Sequence, residues 1–143
     1  VAHADALALT RSNTVLGTPL YMAPEAVTAP ERVDARADLY ALGAVGYFLL
    51  AGTPVFEGRN AVEVLGHHLH TSPVPPSERL GRPVPEDLEA TLLACLEKDP
   101  GRRPPDAKTL LLALERARGV EPWTQDAARA WWEGRGAFSA ARA

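Results

Sequence analysis

A mainly α-helical fold is predicted by three features of this 143-residue sequence. From Leu39 to Ala51 the chain is apolar on every face of a helical projection, the pattern of a helix buried on all sides. Two later stretches, 85–97 and 105–118, carry leucines at helical spacing. No stretch shows the two-residue alternation of a half-buried strand, and no internal repeat is present.

Taken in order, residues 1–17 are small and polar without a sustained period and read as a loop. Pro19 and Pro24 exclude a long helix over 18–24, but Pro24-Glu25 suits a short helical turn, with proline at its first position and an acid near its amino end. Residues 29–33 form a connector. The central helix then spans about 35–51, closed by Gly52-Thr53-Pro54, glycine fitting the position past the end and proline unable to continue. Its uninterrupted apolar run is well short of the ~20 residues that cross a bilayer. Gly43 and Gly46 each cost about 1 kcal/mol against alanine in a helix, which is sensible if another backbone or a bulky side chain packs closely there. Asp38, at the start of a buried helix, is expected to be anchored by free backbone N–H groups.

Beyond that helix, Asn60 with Glu63 three residues on marks a helix over about 60–71. Thr71 to Ser77 is a proline-rich extended connector. The helix from about 85 to 97 buries Leu88, Leu92, Leu93 and Leu96 and breaks at Asp99-Pro100-Gly101. Pro105 opens another through about Arg118, and Thr124 caps a last one to about Glu133. Trp123, Trp131 and Trp132 are expected to pin that last helix to the body.

The totals bound the rest. Hydrophobic residues make up 46% and charged residues 23%, a globular balance. A net charge of −3 gives no reason to expect a nucleic acid or an anionic membrane as partner. Cys95 is the one cysteine; it fits a buried small hydrophobe and a reducing compartment. The first residues lack the basic and apolar segments of a secretory signal, so a cytoplasmic chain is expected. His67, His68 and His70 invite a metal reading, but no cysteine or carboxylate cluster stands at ligand spacing; they read as helix surface.

Three stretches together resemble the carboxy-terminal lobe of eukaryotic-like serine/threonine protein kinases, particularly bacterial ones. Gly17-Thr18-Pro19-Leu20-Tyr21-Met22-Ala23-Pro24-Glu25 is similar to the end of the activation segment, which closes on Ala-Pro-Glu. Asp34 to Gly43 is similar to the start of the long central helix. Cys95 to Pro104 is similar to the segment that pairs back with the Ala-Pro-Glu acid. The resemblance covers about residues 10–118. It implies a kinase-like large lobe built around the 35–51 helix, with an activation segment over 1–25, a helical lobe over 26–118 and a helical extension over 119–143.

The resemblance also assigns roles. Glu25 would pair with Arg103, whose planar fork suits a carboxylate, and so fix the loop that presents the substrate. Thr18, next to Gly17, resembles the threonine that hydrogen-bonds the catalytic aspartate, the alternative being a loop threonine bonding its own backbone, and Gly17 and Thr18 also open the substrate-binding stretch. Pro19, Leu20 and Tyr21 would shape the pocket for the residue after the phosphoacceptor. Thr10, Ser12 and Thr14 sit where activating phosphorylation falls, and Asp38 resembles the acid that holds the catalytic loop.

Within these residues there is no Gly-rich phosphate loop, no His-Arg-Asp and no Asp-Phe-Gly, the parts that phosphoryl transfer requires. The small lobe and catalytic loop are therefore absent from this stretch, which by the resemblance would open just after Asp-Phe-Gly. ATP and magnesium belong to the intact family and neither is expected to bind this chain alone. Protein substrates are the expected partners, together with a preceding kinase portion. The rival function is a non-catalytic interaction module left from such a lobe.

Overall fold

A computed structural model describes residues 19–120 and 122–140. Seven α-helices and three short 3-10 turns are found there, with no strand among the described residues. The helices are α1 (Pro24–Thr28), α2 (Ala35–Ala51), α3 (Ala61–His70), α4 (Pro76–Leu80), α5 (Glu86–Cys95), α6 (Ala107–Glu115) and α7 (Gln125–Ala140).

Helix α2 organises the others. Asp34 caps it, its carboxylate accepting from the Arg36 backbone N–H at 2.9 Å, and Gly52 closes it in the left-handed region at φ 75°, a conformation that costs glycine little. One side is buried through Leu39, Tyr40, Gly43, Ala44 and Tyr47. Tyr40, Ala44 and Tyr47 join Ala23, Val55, Phe56 and Leu96 in the main core cluster, while Leu39, Cys95 and Leu110 make a second.

The glycines of α2 explain how closely α5 approaches. A Cβ at Gly43 would lie 2.5 Å from the Cys95 Cβ, and one at Gly46 would lie 2.6 Å from a Leu92 methyl. Gly43→Ala is therefore expected to destabilise the chain by about 1–3 kcal/mol through overpacking. Gly66, in α3, has nothing within 4 Å of an added Cβ, so Gly66→Ala should stabilise by about 0.5–1 kcal/mol through helix propensity. Urea unfolding of the two variants checks the opposite signs. Cys95, fully buried beside Gly43, has its thiol pushed up to about 11 by burial, which keeps it protonated and inert.

The burial of α2 is one-sided, which corrects the expectation of a helix covered all round. Leu42, Val45, Phe48 and Leu49 stay exposed, Leu49 to 77%, and Leu42 and Leu49 border an open apolar cavity of about 350 Å³ floored by Leu92 and Cys95. An apolar pattern records what a surface prefers, while its actual cover depends on what else packs there. Even so, no described helix is long and apolar enough to cross a membrane.

Other corrections are local. The proline-rich run is irregular only over 71–75, because Pro76 starts α4 at the position where proline suits a helix. Helix α6 begins at Ala107, where Asp106 accepts from the Thr109 N–H at 2.6 Å, so Pro105 precedes the helix and does not open it. Thr124 caps α7 through Ala127 N–H at 3.1 Å. The tryptophans around it do not bury against the body as expected: Trp123, just before the helix, is 67% exposed, and Trp131 and Trp132 within it are 41% and 68% exposed. Their rings pair edge to face, with centroids 6.5 Å apart for Trp123–Trp131 and 4.8 Å for Trp131–Trp132.

Candidate functional site

Pro19–Tyr21 forms a 3-10 turn, closed by Met22 N–H donating to the Pro19 carbonyl at 3.3 Å. Pro19, Leu20 and Tyr21 are half-buried, and the turn packs on both α2 and α3. Ala23 then enters the core, and Pro24 starts α1 so that Glu25 falls in its first turn. Thr10, Ser12, Thr14, Gly17 and Thr18 lie outside the described residues.

The backbone after α5 brings a cation to Glu25 from 78 positions away. Asp99 caps a 3-10 turn over Pro100–Arg102 by accepting from Gly101 N–H at 2.8 Å, and the next residue, Arg103, points inward with its side chain fully buried. Its two terminal nitrogens donate to the two Glu25 oxygens at 2.6 and 2.8 Å, the bidentate geometry that a guanidinium suits best. The remaining N–H groups reach main-chain carbonyls: Nε to Glu97 at 2.8 Å, one terminal nitrogen to Arg36 at 2.9 Å and the other to Lys98 at 3.3 Å. The guanidinium also stacks over Tyr40, 4.8 Å from the ring centroid. One side chain thereby joins α1, the start of α2 and the turn after α5.

Burial pushes the Glu25 carboxyl up, but the hydrogen bonds and charge of Arg103 outweigh it and hold the group below the usual glutamate range. Glu25 is thus ionised through the neutral range, as a buried cation requires of its partner.

A second layer sits under the turn. His68 of α3 is fully buried, with Nδ1 2.7 Å from the Tyr40 hydroxyl. Burial, then the nearby Lys98 charge, pulls its pKa down to about 4, so the ring is neutral. Lys98 itself places its ammonium 4.5 Å from the Phe56 ring centroid and donates to the His67 carbonyl at 3.4 Å. Burial and the charge of Arg103 lower it to about 8.

Two expectations change here. Asp38 is exposed on the first turn of α2 and makes no hydrogen bond or ion pair among the described residues: Asp34 already caps the helix, and no backbone segment among the described residues reaches it. The histidines are not a uniform surface group, since His68 points into the core while His70 is exposed and His67 bonds Thr71 Oγ1 at 2.9 Å. His68 was legible only as one of that trio. The signal that isolates it is its spacing, four residues after buried Val64 on the same face of α3. Among the described residues no group of three or more His, Cys, Asp or Glu is placed to hold a metal.

Such an arrangement can fix the short Pro19–Tyr21 turn against a rigid helix; among the described residues it brings no nucleophile and base together. The family model described as "Protein kinase domain" matches residues 3–112. The chain is 45% identical over 121 residues to the DNA damage-responsive serine/threonine-protein kinase RqkA of Deinococcus radiodurans, across 83% of this chain and 17% of that protein. It is 37% identical over 121 residues to the serine/threonine-protein kinase PknB of Mycobacterium leprae, across 85% of this chain and 19% of that protein. With the serine/threonine-protein kinase pkn3 of Myxococcus xanthus the identity is 39% over 114 residues, 78% of this chain and 20% of the other. The chain thus spans about a fifth of the length of the curated relatives it matches.

Proposed function

Because this chain belongs to the protein kinase domain family, we propose that it forms the substrate-side part of a serine/threonine kinase, presenting protein hydroxyls for phosphorylation. The observation that carries this reading is the buried bidentate grip of Arg103 on Glu25, which holds Pro19, Leu20 and Tyr21 against α2 where a substrate chain would lie. Phosphoryl transfer works by positioning and charge stabilisation. Here the platform supplies the positioning, and ATP with magnesium would be held by parts of a kinase that these residues do not include. Thr18 would support the catalytic aspartate of such a kinase, Gly17 and Thr18 would begin the substrate-binding stretch, and Thr10, Ser12 and Thr14 are where phosphate would regulate it. The setting of this work is the cytoplasm, in keeping with a lone reduced cysteine.

The kinase match over most of the chain favours a partial kinase domain over the non-catalytic module. The test is direct. The purified chain, mixed with ATP, magnesium and a library of serine- and threonine-centred peptides, should transfer no phosphate, while peptides that bind should shift the backbone resonances of Leu20 and Tyr21. Phosphate transfer by the chain alone, or peptide binding confined to other surfaces, would overturn the reading.

A further inference from the structure

Lys98, in the turn after α5, is half-buried, and among the described residues no carboxylate pairs with it. Its neighbour in the chain, Glu97, meets Arg102 at 3.5 Å instead. The Lys98 ammonium lies 4.5 Å from the Phe56 ring centroid and 5.9 Å from that of Tyr40. Its one hydrogen bond is the long contact of 3.4 Å to the His67 carbonyl. The side chain is also part of the wall of an open cavity of about 220 Å³, which Ser72, Pro73, Leu93, Leu96 and Glu97 complete. Ser72 is the exposed member of that wall.

These surroundings favour a neutral amine. Ring faces attract an ammonium, but they replace only part of the hydration that it gives up. The other groups around it are Tyr40 of α2, His67 and His68 of α3, and Arg103 beyond its own turn, none of which brings a negative charge. Glu97 alone pulls the other way, and burial, with the Arg103 charge second, brings Lys98 down to about 8. Desolvation and a neighbouring cation are what turn a lysine from a solvated charge into a nucleophile. The cavity beside it, walled by Pro73, Leu93 and Leu96, offers a short apolar group a place next to that amine.

We propose that Lys98 is an acylation site, its amine taking a short acyl group from an acyl phosphate that enters the cavity beside Pro73 and Leu93. The Nζ lone pair attacks the carbonyl carbon, and the bond from that carbon to the phosphate oxygen breaks. Inorganic phosphate leaves with the bonding pair, and an Nζ proton passes to water. The product is a neutral amide, so the modification removes one of the two cations that lie over the Tyr40 ring and leaves Arg103 as the other.

Acetyl phosphate is the probe, and the full chain carries its own control: Lys98 and Lys108 are its two lysines, and Lys108 is exposed on α6. At pH 7.5 about a quarter of amines that titrate near 8 are neutral, against about one in a thousand for an ordinary lysine. Narrower access gives back part of that advantage. Peptide-resolved mass spectrometry of the native chain should therefore show Lys98 acetylated at least tenfold faster than Lys108, with a rate that levels off above about pH 8. In denaturing urea the two lysines should react within twofold of each other. Ser72→Trp, filling the cavity from its exposed side, should slow Lys98 at least fivefold and leave Lys108 unchanged. Equal native rates, or a Lys98 rate still climbing above pH 9, would overturn the proposal. So would an excess at Lys98 that survives in urea, which belongs to the local sequence, or an undiminished Lys98 rate in the tryptophan variant. If that variant fails to fold, the urea comparison and the pH profile decide.

Discussion

Arg103→Ala should unfold this chain or come close to it. The substitution strands the Glu25 carboxylate, which is only 11% exposed, and removes the donors that satisfy the carbonyls of Arg36, Glu97 and Lys98. Breaking a buried pair from one side costs about 3–5 kcal/mol, because the remaining charge has no compensation. A domain of this size is stable by only about 5–15 kcal/mol in total. Loss of the stacked face of Tyr40 adds to the damage. Glu25→Gln should cost less, about 2–3 kcal/mol, since an amide still accepts from Arg103 while the guanidinium loses its counter-charge. The double variant should then be less damaged than the sum of the two singles, a coupling that urea unfolding resolves. Strict additivity would mean that the two side chains do not act as a unit.

Acid should destabilise the chain well before ordinary carboxylates titrate. His68 is pulled from 6.5 down to about 4 by burial, with the Lys98 charge second. Between those values the unfolded chain takes up a proton that the folded chain refuses, so stability is complete above about pH 7 and falls as the pH drops through 6.5 toward 4. At about 1.4 kcal/mol per unit the loss reaches about 3 kcal/mol. Glu25 then adds its own: its pKa is lowered in the fold, so its contribution is present above the normal glutamate value and disappears as the pH falls below it. Unfolding free energies at pH 7.5, 5.5 and 4.5 should show the first decline, and His68→Gln should flatten it. A pH slope that is the same in both proteins would assign the acid sensitivity elsewhere.

Much of this could be read from residue types, and the failures share a cause. The helix ends were legible where their signals are local: Asn60 and Thr124 cap where side-chain oxygens meet free N–H groups, and Gly52 stops α2 as only glycine easily does. The partnership of Glu25 and Arg103 was legible only through the kinase resemblance, since nothing in the intervening residues says that they meet. What the sequence hid was which faces acquire neighbours. Leu42 and Leu49 look as buried as Tyr40 and Ala44 in projection, yet Tyr40 and Ala44 join the closed core cluster while Leu42 and Leu49 meet only an open cavity beside α5. Trp123, Trp131 and Trp132 follow the same rule, large rings being able to pack on one another.

The distance in sequence between the carboxylate and its guanidinium also orders events as the chain is made. Translation runs from the amino end, at about 5–20 residues per second, so Glu25 leaves the ribosome about 4–16 s before a partner 78 positions later. The helix that packs against the α2 glycines, α5, is made only shortly before Arg103. A nascent chain paused between α2 and α5 carries its longest apolar segment uncovered, which makes this interval the one in which chaperones have most to protect.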